Sequence, residues 1–282
     1  MISILKSEAL NKSLQDKGYV IVPFLDASEV TNLLNIYQEL HPVNPDGFYA
    51  TTHATDLAFR RKASERIKIV ISASIDKTLQ KVNALGGAFI SKSPNQKGIL
   101  PLHQDWNIVD EEQYQSYNIW IPLQDVDGHN GAVRVLEGSH NKMKTFRGPN
   151  IPSILSNIAE EVQPHMISLH MKSGEALIYN HALWHSSPVN RSEMHRLAVV
   201  FGIIPEEAPM MHYYKNGKIV EEYHSYAEFF FENNPNEGPK GLTKNRDIEV
   251  DIPNLTKEEF DQIYLNKEPM KKSNWLKSLF SK

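Results

Sequence analysis

His103-Gln104-Asp105, answered far along the chain by His185 and then Arg196, constrains this fold more than any other feature. In an extended strand, side chains at i and i+2 share a face, so His103 and Asp105 can reach one metal ion while Gln104 points away. A third donor must then come from a segment distant in sequence, and His185 closes the apolar run from Ala176 to Trp184. Taken singly, each residue has an ordinary reading, a core imidazole bonded to a carbonyl or a turn carboxylate. Together, two imidazoles and one carboxylate form the facial triad that holds non-haem Fe(II) and leaves neighbouring coordination positions open.

The fold must therefore carry residue 185 to residue 103. A turn-rich segment, Ser186 to Ser192, separates His185 from a second apolar run, Arg196 to Ile204. That spacing predicts a hairpin-like pair of strands with His185 and Arg196 near its open end. An arginine held there can grip a carboxylate with its forked guanidinium. From Ala88 to residue 204, short apolar runs alternate with Gly, Pro and Asn, a pattern that predicts two packed sheets or a jelly roll.

Before this region the pattern is helical. Residues 7 to 17 read as a polar helix leading into a short strand, Gly18 to Val22. Asp26 stands three residues before Glu29, a helix cap, and Val30, Leu33, Leu34, Tyr37 and Leu40 follow at helical spacing. Pro42, Pro45 and Gly47 break that helix, and the segment to Lys62 reads as irregular, a candidate lid, before helical periodicity returns over 64 to 83. The class is thus mainly β with flanking helices. Past residue 205, residues 232 to 249 read as loop, Thr256 caps a short helix over 257 to 265, and residues 270 to 282 form a weakly basic amphipathic tail that docks on its own domain or touches a partner.

Composition serves mainly to exclude. A chain of 282 residues with 40% hydrophobic content can build one large β-rich domain, so 1 to 282 reads as a single domain with a core of about 15 to 205 and an extension from 206 to 282. A net charge of -4 argues against binding nucleic acid through a basic surface. The absence of Cys removes disulfides, thiolate catalysis and Cys-based metal sites. The sequence shows neither a signal peptide nor a membrane span, so a cytoplasmic protein is expected.

Four blocks carry a resemblance. Leu102 to Trp106, Asn118 to Asp125, Asn130 to His140, and Trp184 to Ser187 with Asn190, Ser192 and Arg196 resemble the phytanoyl-CoA dioxygenase family in order and content. The resemblance implies a double-stranded β-helix, a cupin-like jelly roll. It implies that His103, Asp105 and His185 hold Fe(II), that Arg196 with Ser187 binds the distal carboxylate of 2-oxoglutarate, and that O2 is the second co-substrate. Trp120 helps to wall the pocket, and Gln104 and Asn190 join the cofactor-binding set.

The implied reaction is hydroxylation of an unactivated C–H bond in a small organic substrate, with release of succinate and CO2. Related halogenases place Gly or Ala where Asp105 stands, so Asp105 favours hydroxylation; desaturation and ring formation stay open. The alternative is a metal-binding sensor or cupin-like metalloprotein that does not use 2-oxoglutarate. The substrate is expected to be a small molecule, carboxylated or an acyl or amino-acid derivative; Arg60, Arg61, Arg134 and Arg147 are candidates to meet its anion, with ordinary exposed arginines as the alternative and a structural role for Arg134. Lys92, in the run before the metal strand, could offer charge near the pocket, with a solvated lysine as the default reading, and His181 reads as packing or support for the metal shell.

Overall fold

Ser7 accepts a hydrogen bond from the Leu10 amide and opens α1 (Glu8–Lys17), which Gly18 closes in the left-handed conformation at φ +86°. A Cβ at Gly18 would lie 2.5 Å from His140 Nδ1, so turn and packing both require glycine. After β1 (Tyr19–Pro23) comes α2 (Ala27–Leu40), where the Asp26 carboxylate takes the Ser28 and Glu29 amides and the Glu29 carboxylate takes the Asp26 amide. This is the cap read from the sequence. The computed structural model describes residues 2–94, 98–229, 233–234, 237–252 and 254–265, so the basic tail lies outside the described residues.

β2 (Phe48–Ala50) leads to α3 (Leu57–Thr78), which starts and stops earlier than the expected 64 to 83. The Asp56 carboxylate accepts the Ala58 and Phe59 amides and so starts the helix, while Arg60 folds back to bond the Ala54 carbonyl. The charged run Arg60-Arg61-Lys62 early in the helix hid this start. Lys81, at φ 53°, then turns the chain into the next strand.

The remaining strands are β3 (Val82–Lys92), β4 (Leu100–His103), β5 (Tyr117–Pro122), β6 (Arg134–Val135), β7 (Ile167–Ser168), β8 (Glu175–Asn180), β9 (His185–Ser187) and β10 (Arg196–Pro205), with the short α4 (Ala159–Val162) before β7. They form a six-stranded sheet, β1-β8-β5-β10-β3-β2, and a four-stranded sheet, β4-β9-β6-β7, with antiparallel pairing throughout. The architecture is the jelly roll expected, mainly β with helices on one side. The expected hairpin is not formed, because β9 and β10 belong to different sheets. The polar segment between them crosses the sandwich, and a turn-rich composition does not reveal which sheet the chain enters next.

Period-two alternation assigns the two faces of the larger sheet. Ile119, Ile121, Ile178, Val199 and Phe201 pack under the helices with Leu33, Tyr37, Ile67 and Ile71. Trp120, Leu177, Tyr179 and Ala198, one residue out of phase, pack with Val133, Val135, Leu169 and Leu183. Burial of each such side chain contributes about 1.5–3 kcal/mol, enough to fix the register, since a one-residue slip would exchange the two faces.

A third sheet, β11 (Met211–Asn216), β12 (Ile219–His224) and β13 (Thr243–Glu249), follows, and α5 (Lys257–Phe260) brings Phe260 and the following Tyr264 against Trp184. β13 overturns the loop reading of 232 to 249 in part. Its residues are nearly all exposed, so the strand carries no apolar alternation and is held by pairing and by ions such as Arg246 to Glu222. Among the described residues, no helix is long and apolar enough to cross a membrane.

Candidate metal centre

β4 and β9 pair so that His103 stands directly opposite His185. Asp105 lies just beyond β4, where its amide donates to the His181 carbonyl at 2.9 Å and its carbonyl accepts from Arg147 Nε at 2.6 Å. His103 Nε2 is 3.8 Å from Asp105 Oδ1, and His185 Nε2 is 3.7 Å from Asp105 Oδ2. One donor atom from each of the three residues lies within 4.8 Å of the others.

The donor chemistry fits a metal ion. His103 Nδ1 is 2.8 Å from the Pro101 carbonyl and His185 Nδ1 is 2.9 Å from the Leu183 carbonyl. A carbonyl only accepts, so each ring carries its proton on Nδ1 and turns the Nε2 lone pair toward the shared space. Asn118 Nδ2 donates to Asp105 Oδ2 at 2.8 Å, and the Tyr179 ring meets the His185 ring edge-on at 4.9 Å. Burial opposes the charge on Asp105, but His185, His181, His103 and the Asn118 amide outweigh it and bring the carboxyl down to about 2. Burial, then His103, pushes His185 down to about 4, leaving a neutral imidazole ready to ligate.

A cavity of about 490 Å³ between the sheets opens on these three residues, with Trp120, Asn118, Tyr179, Ile90, Phe48 and His53 among its walls. Arg196 lies on it from the opposite sheet, almost wholly buried, with its guanidinium 5.1 Å from the centre of the Trp120 ring and its Nε without a hydrogen-bond partner. Burial pushes Arg196 down to about 9, still charged near neutrality. Ser187 also borders the cavity, and its hydroxyl donates to the Gly131 carbonyl at 2.7 Å.

Two expected site residues do not line the cavity. Gln104 is turned away, its amide bonded to the Ala182 carbonyl and to the Thr145 hydroxyl. Asn190 is buried in the turn after β9, donating to the Lys92 and Met194 carbonyls. Both shape backbone near the site. Lys92, expected in solvent, is fully buried. Arg60, Arg134 and Arg147, expected to be available to a substrate anion, are held by protein groups: Ala54 and Asn233 carbonyls, Gln163, and a buried ion pair with Glu111.

The sequence reading gave no site role to Asn118 and Tyr179, and gave Arg147 a different one. Asn118 is two residues from Trp120 on β5, and Tyr179 is two from Leu177 on β8, so alternation from the cavity side would have found both. Arg147 acts through the Asp105 backbone, which no periodicity reveals.

A family comparison matches residues 14–198 to the family described as Phytanoyl-CoA dioxygenase (PhyH). The chain belongs to this family. No match is found among curated proteins. Solved structures with the same fold include the epimerase SnoN, in complex with Fe3+, alpha ketoglutarate and nogalamycin RO, at 17% identity over 89% of this chain and 96% of that one, TM-score 0.55. The non-heme alpha ketoglutarate dependent carbocyclase SnoK from nogalamycin biosynthesis is 17% identical over 72% of this chain and 86% of that one, TM-score 0.54. EctD from S. alaskensis, with 2-oxoglutarate and 5-hydroxyectoine, is 19% identical over 72% and 78%, TM-score 0.52. Family and fold thus make this PhyH chain an oxygenase-like enzyme of the Fe- and 2-oxoglutarate-dependent class.

Proposed function

We propose that the chain is an Fe(II)- and 2-oxoglutarate-dependent dioxygenase that hydroxylates an unactivated C–H bond of a small organic molecule, with release of succinate and CO2. The observation that carries this reading is the triad with both Nδ1 atoms committed to backbone carbonyls, facing across one cavity a buried Arg196 whose Nε is unpaired. When bound, the iron supplies the oxidising chemistry by coupling O2 to decarboxylation of the keto acid. His103, Asp105 and His185 would hold the metal, while Arg196 and the Ser187 hydroxyl would hold the distal carboxylate of 2-oxoglutarate.

The chain's own contribution is placement. Asn118 keeps Asp105 ionised and oriented, Trp120 walls the cavity beneath the Arg196 guanidinium, and Ile90 and Phe48 give the cavity apolar walls. A carboxylate at position 105 favours hydroxyl transfer over halogenation. The bound 5-hydroxyectoine of EctD supports a hydroxylated product, whereas the epimerase and carbocyclase neighbours mark the other outcomes to test. The cavity suits a small molecule beside the keto acid, and with Arg60, Arg134 and Arg147 committed to protein partners, a neutral or weakly polar substrate fits its walls better than a polyanion.

Anaerobic visible absorption of the protein titrated with Fe(II) and then 2-oxoglutarate tests the reading. A charge-transfer band that requires both additions and is lost in His103→Ala supports it. A folded, iron-binding protein with no such band leaves the sensor or cupin-like alternative. Succinate release across a panel of small molecules, with product mass, then separates hydroxylation from desaturation, cyclisation and epimerisation.

A further inference from the structure

Lys92 ends β3 directly opposite Arg196 on β10, and both are fully or almost fully buried. Its ammonium donates at 2.8 Å to the Ser187 carbonyl, at 2.7 Å to Ser187 Oγ and at 2.7 Å to the Pro188 carbonyl. In its ammonium form the amine thus matches three donors to three acceptors, none of them a carboxylate. The aliphatic stem runs past Gly131, where an added Cβ would touch Lys92 Cδ at 3.5 Å and the Pro188 carbonyl at 3.0 Å. A buried amine beside a buried guanidinium is a costly way to close a sandwich, since each cation loses hydration and repels the other. An unbranched apolar side chain would fill the same channel without that cost.

The arrangement gains a rationale at Ser187. An ammonium cannot accept a hydrogen bond, so with Lys92 donating to its oxygen, the Ser187 hydroxyl must direct its only proton elsewhere. That proton now goes to the Gly131 carbonyl, and a carboxylate arriving at Arg196 would be the competing acceptor. We infer that Lys92 is a positioning residue for the distal carboxylate of 2-oxoglutarate, acting through Ser187: it fixes the hydroxyl as a donor and sets a second positive charge behind it. The inference rests on the oxygenase reading above. Burial, and then Arg196, pushes the Lys92 amine down to about 6; a carboxylate between Ser187 and Arg196 opposes that shift, so the three-donor ammonium is the form that goes with the bound keto acid, which takes up a proton as it binds.

The test compares two keto acids that chelate metal alike, 2-oxoglutarate and pyruvate, which lacks the distal carboxylate. Each is titrated into Fe(II)-loaded protein without oxygen, following the visible band. Lys92→Met should raise the half-saturating 2-oxoglutarate concentration about tenfold or more, the usual weight of a hydrogen bond to a charged group, while pyruvate and Fe(II) binding move less than about twofold. Lys92→Gln, which keeps a neutral donor, should fall between Met and wild type, and it serves if the Met variant does not fold. In a Ser187→Ala background, Lys92→Met should add less than about twofold. Unchanged 2-oxoglutarate binding, an equal loss for both keto acids, or a full loss without Ser187 would each overturn the role. A wild-type protein that shows no band removes the oxygenase reading itself, and the inference with it.

Discussion

Both imidazoles of the centre are set by the carbonyl two residues earlier in the chain, Pro101 for His103 and Leu183 for His185, whereas Asp105 depends on neighbours from elsewhere. Asp105→Ala should therefore lower Fe(II) affinity and turnover by orders of magnitude, and near-normal product formation would refute the triad. Asn118→Ala, which frees the Asp105 carboxylate to turn, should weaken metal binding by about 10–100-fold, measured by competition with a chelating dye. The ordinary sequence signal sufficed to single out three donors that the structure brings together, because two of them share the i and i+2 spacing and the third ends an apolar run. It failed for Lys92, since a lysine at a strand end reads as solvated and only the pairing with Arg196 shows it buried. Its acidity gives a further expectation. Lys92 drops from 10.5 to about 6 in the folded chain, so between those values the unfolded chain binds a proton that the folded chain does not. Stability conferred through Lys92 is lowest below about pH 6 and rises with pH across that window, by at most about 1.4 kcal/mol per unit. Urea unfolding of the metal-free protein at pH 6.5 and 8.5 should show wild type gaining about 2 kcal/mol on Lys92→Met. A gap that does not change with pH would mean that the amine keeps its ordinary acidity.

Elements were legible where a local signal starts them and illegible where a partner does. The α2 cap, Asp26 with Glu29, is written within four residues, and the structure forms it. By contrast β13 exists through its ladder to β12, and its run Thr243 to Glu249 has no buried face to print in the sequence. The join between β9 and β10 failed for a related reason: both strands were readable, but the assignment to separate sheets depends on partners β4 and β3. Two substitutions separate local from tertiary determinants. Asp26→Ala removes one cap and should cost about 1 kcal/mol. Gly18→Ala meets both a left-handed backbone, worth about 1–2 kcal/mol, and the His140 ring, so it should cost clearly more. Urea midpoints at constant slope would rank them, and equal costs would mean that His140 moves aside freely.

On the scale of the whole molecule, the site is divided between the two sheets of the sandwich. His103 and His185 stand on the four-stranded sheet, while Arg196 and Lys92 stand on the six-stranded one. On the proposed function, a metal ion alone would engage the first sheet and the Asp105 loop, whereas a keto acid held by both the metal and Arg196 would tie the sheets together. Any ligand that binds only the folded chain stabilises it by about 2.7 kcal/mol when present at roughly a hundred times its dissociation constant. For a chain of this length that amounts to about 5 °C in the unfolding midpoint. Ni(II) substituted for Fe(II) avoids oxidation during heating. Wild type should gain one increment with Ni(II) and a second with 2-oxoglutarate, Arg196→Ala should keep the first and lose most of the second, and His103→Ala should lose both. If Arg196→Ala retained the full second increment, the distal carboxylate would be held by other residues, and the division of labour between the sheets would have to be redrawn.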